Sequence, residues 1–241
     1  MEPQPERMSE ISRLTGVFFE PKKTFEDIAR RPTWVAPLVL IIVCALATMF
    51  VFSQHVGWER FFRQQNETSP RMAQLTPEQR DQALAMQMKF ASIGAVIPIV
   101  IIPISYLIIS AVLLGIVAGI MSAPVKFRQV YAIMCYAGLT GVVSSILTLV
   151  VMFLKNPDQF NLQNPLAFNP AAFMDPATSS KFLYSLATSV DLFSIWTILL
   201  VATGLKAAAG KKLSFGGALF AVVLPWAVYV LGKSALAGAF S

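Results

Sequence analysis

The sequence is short of charge and of the side chains that carry most protein chemistry. Only 13% of its 241 residues are Asp, Glu, Lys or Arg, against about 25% in an average soluble domain. It holds one histidine, His55, and two cysteines, Cys44 and Cys135. Neither cysteine has a Cys or His neighbour at metal-ligand spacing, so both are expected to act as small buried hydrophobes. His55 falls at the end of an apolar run and reads as an interfacial residue rather than a ligand or base. There is no Ser/His/Asp or Cys/His arrangement, no paired carboxylates on one membrane face and no phosphate-cradling glycine loop. No catalytic residue, metal site or cofactor is therefore expected, and the chain is not read as an enzyme. The net charge is +6. No basic run with interleaved aromatics accompanies it, which excludes nucleic acid as the partner.

What is abundant is apolar surface. Hydrophobic residues make up 56% of the chain and the mean hydropathy is +0.63. A soluble fold of this size could not hide so much, so the surplus must face lipid. Uncharged or singly charged runs cover about residues 34–54, 90–121, 130–154, 182–205 and 215–236, each long enough to cross a bilayer as a helix. The fold class is an all-α integral membrane protein: a five-span transmembrane helical bundle with a short amphipathic N-terminal segment. Residues 1–33 form that segment and 34–240 the membrane domain. No cleavable signal peptide is expected, because the first apolar run follows a mixed, charged stretch and is itself long enough to span.

Trp34 and Trp58 bracket the first span as an aromatic belt would. Thr76, Pro77 and Gln79 form a capping-box helix start, and that helix is expected to run unbroken into span two. Pro98 and Pro103 should bend span two and Pro225 span five. The loops at 55–89 and 155–180 are long. The second is punctuated by Asn156-Pro157, Asn164-Pro165, Asn169-Pro170 and Asp175-Pro176. It nevertheless carries Phe160, Leu162, Leu166, Phe168, Phe173 and Met174, so it is expected to lie on the bilayer surface or to lid the bundle.

Residues 1–8 are rich in Pro and Glu and are expected to be disordered. Residues 9–19 suit a helix with Ile11, Leu14 and Phe18 on one face and Val17 alongside. Pro21 suits the first turn of a second helix, on which Phe25 and Ile28 share a face flanked by Lys22, Lys23, Arg30 and Arg31. Such basic amphipathic pieces lie in the headgroup region; the alternative is a small cap packed on the bundle. Eleven of the nineteen basic residues fall in the N-terminal segment and the two short loops: Arg7, Arg13, Lys22, Lys23, Arg30, Arg31, Lys126, Arg128, Lys206, Lys211 and Lys212. Their density beside short connections orients the N-terminus inside and the C-terminus outside.

Two strings of small residues, Ala111, Gly115, Gly119 and Ala137, Gly141, Ser145, allow close helix approach. Packing within the chain and a homo-oligomer are both open readings. Asp191 and Lys233 are the only charges well inside the runs, at comparable heights, and either pair with one another or reach water separately. The hairpins around "SAPVKFRQVYAI" and "AAGKKLSFGGALFAV" resemble one another weakly and run in the same direction, as a parallel repeat would.

Three segments carry a resemblance to a known family. The first is "GVFFEPKKTFEDIARRPTWVAPL", a Phe-x-Pro-x-x-Thr-Phe-x-x-Ile pattern at Phe19, Pro21, Thr24, Phe25 and Ile28. The second is "VKFRQVYAIMCYAGL", and the third is "DLFSIWTILLVATGLKAAAGKKLS", with Trp196 and Gly204. Together they resemble the Yip family, the Rab/Ypt-GTPase-interacting polytopic membrane proteins, and its bacterial branch in particular, over roughly residues 10–236. The resemblance implies five spans with a cytoplasmic N-terminus. Eukaryotic members bind Rab-type GTPases and carry an Asp-Leu-Tyr-Gly-Pro stretch, which this chain lacks. The implied function is a non-enzymatic scaffold or adaptor in membrane organisation or trafficking, in the bacterial inner membrane. Its partners would be the lipid bilayer and a cytoplasmic protein held by the N-terminal segment. The alternative is a small transporter or channel built from the two hairpins.

Overall fold

The computed structural model describes residues 7–67, 70–94, 96–157, 160–162, 164–175 and 178–239. Residues 1–6, expected to be disordered, lie outside the described residues. So do Ala95 of the expected second span, Pro176 of the second long loop and Phe240 at the end of the expected membrane domain. Among the described residues every regular element is helical. In chain order the α-helices are α1 (Glu10–Phe19), α2 (Pro21–Arg30), α3 (Val35–His55), α4 (Trp58–Glu67), α5 (Pro70–Ala73) and α6 (Pro77–Gly94). They continue with α7 (Pro98–Leu114), α8 (Phe127–Ala137), α9 (Thr140–Leu154), α10 (Lys181–Ser189), α11 (Leu192–Ala209) and α12 (Phe215–Ala239).

Among the described residues five stretches are long and apolar enough to cross a membrane: Val35–His55, Pro98–Ile120, Phe127–Leu154, Leu192–Lys212 and Phe215–Ala239. The protein is thus an all-α membrane protein with five spanning helices and helices ahead of the first. The second span continues α7 through a π-helical turn at Gly115–Ile120, and the third joins α8 to α9.

Two boundaries differ from the sequence expectation. The helix that starts at Thr76 stops at Gly94, and α7 begins afresh at Pro98. Proline has no N–H to donate and crowds the residue before it out of helical backbone, so Pro98 takes a first helical position instead of bending a continuous span. Pro103 and Pro225 do stay inside α7 and α12. In the expected fourth span, α10 ends at Ser189 and α11 starts at Leu192. Asp191 lies in the break, where a side chain that competes for backbone hydrogen bonds is better placed than in a helix interior.

The chain forms two compact units, each with segments from all five spans. The first comprises Met1–Ile41, Ile102–Gly141 and Phe193–Tyr229. Its centre is α8, in which every residue from Val130 to Ala137 is buried; a helix that is apolar all round belongs inside. The second comprises Ile42–Ile101, Val142–Leu192 and Val230–Ser241. Its core gathers Phe52, Val56, Met152 and Phe160, with Trp58, Phe61 and Leu162 packed around them. Gly57, at φ +86°, turns the chain from α3 into α4, and its N–H bonds back to Phe52 O at 2.9 Å. The second long loop therefore supplies a core residue, Phe160, while Phe173 further along it is 95% exposed.

Candidate functional site

The best-built polar arrangement among the described residues lies in the first unit, where α1 and α2 pack on each other and on α8. Ser9 caps α1, its hydroxyl accepting from Ser12 N at 3.1 Å. Glu20 ends α1, and Pro21 starts α2 immediately afterwards. The two helices approach closely at Gly16, where an added Cβ would stand 2.5 Å from Thr24 Oγ1.

The face of α1 that is buried is not the one its apolar spacing suggests. Arg13 and Val17 are fully buried, Leu14 and Phe18 are half-buried, and Ile11 is 76% exposed. The cause is chemical: Arg13 finds enough acceptors to leave water. Its Nε donates to Asp27 Oδ2 at 2.7 Å, and Nη2 lies 2.6 Å from the same oxygen as an ion pair. Nη1 donates to Thr33 Oγ1 at 2.7 Å and reaches Glu10 Oε1 at 3.3 Å. Thr33 in turn donates to Glu10 Oε1 at 2.9 Å, and Tyr136 Oη donates to Glu10 Oε2 at 2.6 Å. Burial alone would lower the Arg13 pKa. The hydrogen bonds and charges of Asp27 and, after it, Tyr136 together outweigh it, and the pKa is raised above its ordinary value.

Further contacts fix the hairpin in place. Gln129 accepts from Lys126 N at 2.8 Å and donates to Ala29 O at 2.8 Å, clasping the end of α2 to the start of α8. Phe18 lies with its ring 5.3 Å from that of Trp196 on α11. Phe25 is fully buried beside Gly204, where an added Cβ would collide with Ile133 and stand 3.0 Å from Phe25 Cδ1. Outward, Ile11, Phe19, Lys22 and Lys23 are exposed. No group of three His, Cys, Asp or Glu among the described residues is placed to hold a metal ion. The arrangement holds two helices in one pose; nothing in it activates a nucleophile.

The Yip1 domain family model matches residues 15–236, nearly the whole chain. The chain belongs to the Yip1 domain family. No curated protein and no solved structure matches it. Arg13 and Glu10 precede the matched stretch, whereas their partners Asp27, Thr33 and Tyr136 lie within the Yip1 domain.

The residues read from the sequence are distributed unevenly over this site. Of the leading motif, Thr24, Phe25 and Ile28 are buried, Pro21 is half-buried at its helix start, and Phe19 is 85% exposed. Phe25 and Ile28 are buried where α2 packs on α8, as in the alternative of a cap packed on the bundle. Of the small-residue strings, Ala137 is buried, but a Cβ added at Gly115, Gly119 or Gly141 would meet nothing within 4 Å, and Ala111 is exposed. The glycines that do permit close packing are Gly16, Gly138 against Tyr106, and Gly204. Ser145 is half-buried. Asp191 is half-buried ahead of α11 and Lys233 is exposed on α12; the ion pair between them is not among those the described residues make. Cys135 is buried and Cys44 half-buried.

Sequence reasoning missed Arg13, Asp27, Glu10, Thr33, Tyr136 and Gln129. One signal was available: Arg13 and Val17 stand four apart on one helical face, so the arginine shares its face with an apolar residue.

Proposed function

We propose that this Yip1 domain protein is a non-enzymatic membrane scaffold or adaptor whose working surface is the α1–α2 hairpin. In this reading it sits in a bacterial inner membrane with the N-terminus in the cytoplasm and the C-terminus outside, and serves membrane organisation or trafficking. The observation that carries the reading is the Arg13 network. It holds the hairpin in a fixed pose while Ile11 and Phe19, 76% and 85% exposed, are open to a partner, as are Lys22 and Lys23. A surface already ordered before it meets a partner loses less freedom on binding. Large apolar side chains set among charges are the composition of a recognition patch.

The test is affinity capture from native membranes with the full chain and with an Ile11→Ser/Phe19→Ser variant, both checked for equal melting temperature. A protein retained by the first and lost from the second supports the adaptor. Identical captured sets from both would overturn it. Solute flux in liposomes carrying the purified chain would point to a transporter instead.

A further inference from the structure

The same unit carries a second feature, independent of the adaptor reading, where α2 ends and α8 begins. Four cations cluster there: Arg30 and Arg31 at the end of α2, and Lys126 and Arg128 at the start of α8. All four are exposed. Two contacts tie their two segments together, and a third orders the start of α8. Gln129 Nε2 donates to Ala29 O at 2.8 Å. Trp34 meets Tyr131 edge-on at 5.4 Å, and Phe127 stacks on the same Tyr131 at 6.1 Å. The two segments that carry the cations are therefore held side by side by the fold.

None of the four makes an ion pair among the described residues, whereas Arg13, Lys23 and Arg63 do. Asp27, the nearest buried carboxylate, is engaged with Arg13. Glu26 lies one turn before Arg30 but is not among its ion-pair partners. The cluster keeps its positive charge, and only an external anion can balance it.

The position of the cluster names the anion. Arg31 stands just ahead of the span that begins at Val35, and Lys126 directly precedes the span that begins at Phe127. Both spans start from the same patch, so the cations lie at one membrane face. Trp34 and Phe127, 36% and 38% exposed, flank them as aromatic residues do at headgroup level. Arginine side chains grip phosphate oxygens in bidentate fashion, and basic clusters at span ends bind anionic headgroups. We propose that Arg30, Arg31, Lys126 and Arg128 form a binding site for the headgroup phosphate of an anionic phospholipid in the adjoining leaflet.

The test uses the full-length protein, purified and delipidated in an uncharged maltoside detergent. Dioctanoyl phosphatidylglycerol, dioctanoyl phosphatidylcholine and inorganic phosphate are titrated separately. Melting temperature and lipid adducts in native mass spectra are the readouts. Phosphatidylglycerol is expected to bind and raise the melting temperature, and the other two to do neither at the same concentration. Arg31→Gln/Arg128→Gln should weaken phosphatidylglycerol binding roughly fivefold for each charge removed. Lys22→Gln/Lys23→Gln, at the far end of α2, should leave it unchanged. Arg30→Gln alone, which spares the Gln129 clasp, carries the test if the double variant is unstable. An equal response to inorganic phosphate would make this a soluble-anion site and overturn the lipid assignment. Wild-type phosphatidylglycerol binding by the Arg variants would overturn the site itself.

Discussion

Arg13 is fully buried, yet its guanidinium is matched by Asp27, Thr33 and Glu10. Removing one partner strands the other charge, and breaking a buried pair this way costs about 3–5 kcal/mol. Arg13→Met is therefore expected to lower stability by that order and to open the hairpin to protease near Lys22 and Lys23. Arg13→Met/Asp27→Leu should lose less, because no buried charge is left alone. Thermal unfolding in detergent and limited proteolysis of the full chain check both, with Asp27→Leu as the other single variant, and a double-variant loss equal to the sum of the two single losses would show that the pair does not act as a unit. Gly204 makes a second residue-scale case. Its Cβ would meet Ile133 and Phe25, so Gly204→Ala is expected to cost roughly 1–3 kcal/mol as overpacking, read as a drop in melting temperature. Neither role was legible from the sequence. Arg13 gave only its shared face with Val17 as a sign, and Gly204 stood out only as part of a segment that carries the family resemblance, not as a packing contact.

The helices themselves were legible, because an uncharged apolar run of spanning length satisfies its backbone in lipid only by coiling into a helix. The two breaks were not. Gly94–Pro98 and Ser189–Leu192 interrupt stretches whose composition continues smoothly, and a proline or an aspartate in such a stretch fits a kink as well as a stop. The face of α1 was misjudged for a related reason: periodicity weighs apolar residues and has no way to credit Arg13 with partners fourteen or more positions away. Where backbone geometry dictates the residue, an element-scale outcome follows. Gly57 ends α3 at φ +86° with nothing within 4 Å of an added Cβ. Gly57→Ala should therefore cost about 1–2 kcal/mol from left-handed backbone alone. Gly57→Asn should cost less, since Asn visits that region more readily. Melting curves of the two variants decide it; equal losses would mean that the turn is not held left-handed.

For the molecule as a whole, the density of basic residues beside short connections fixes an expected orientation. Reporter fusions at Ser122 and Gly210 should read cytoplasmic, and fusions at Asn66 and Asn169 external. Reversed readings at both pairs would invert the protein and place the hairpin outside. The long 155–180 loop shows how far sequence reading reached. Its apolar content led to the expectation that it lies on the bilayer surface or lids the bundle; in the structure Phe173 is exposed while Phe160 enters the second unit's core. Which of its six apolar residues would do so depended on the ends of α3 and α9, which are brought to it only by folding.

The Arg13 network also has an order in time. Glu10 and Arg13 are among the first described residues to be synthesised, but Tyr136, which closes the network on Glu10, follows 126 residues later. At about 5–20 residues per second, the ribosome needs roughly 6–25 s to bridge that interval. Throughout it the hairpin has only its own Glu10 and Asp27, with Thr33 just after it, to satisfy its arginine, and two spans must thread into the bilayer before α8 arrives to seat it. The hairpin is thus made before the helix that seats it and completed only after the third span has begun, leaving it open to any chaperone or protease that meets the nascent chain.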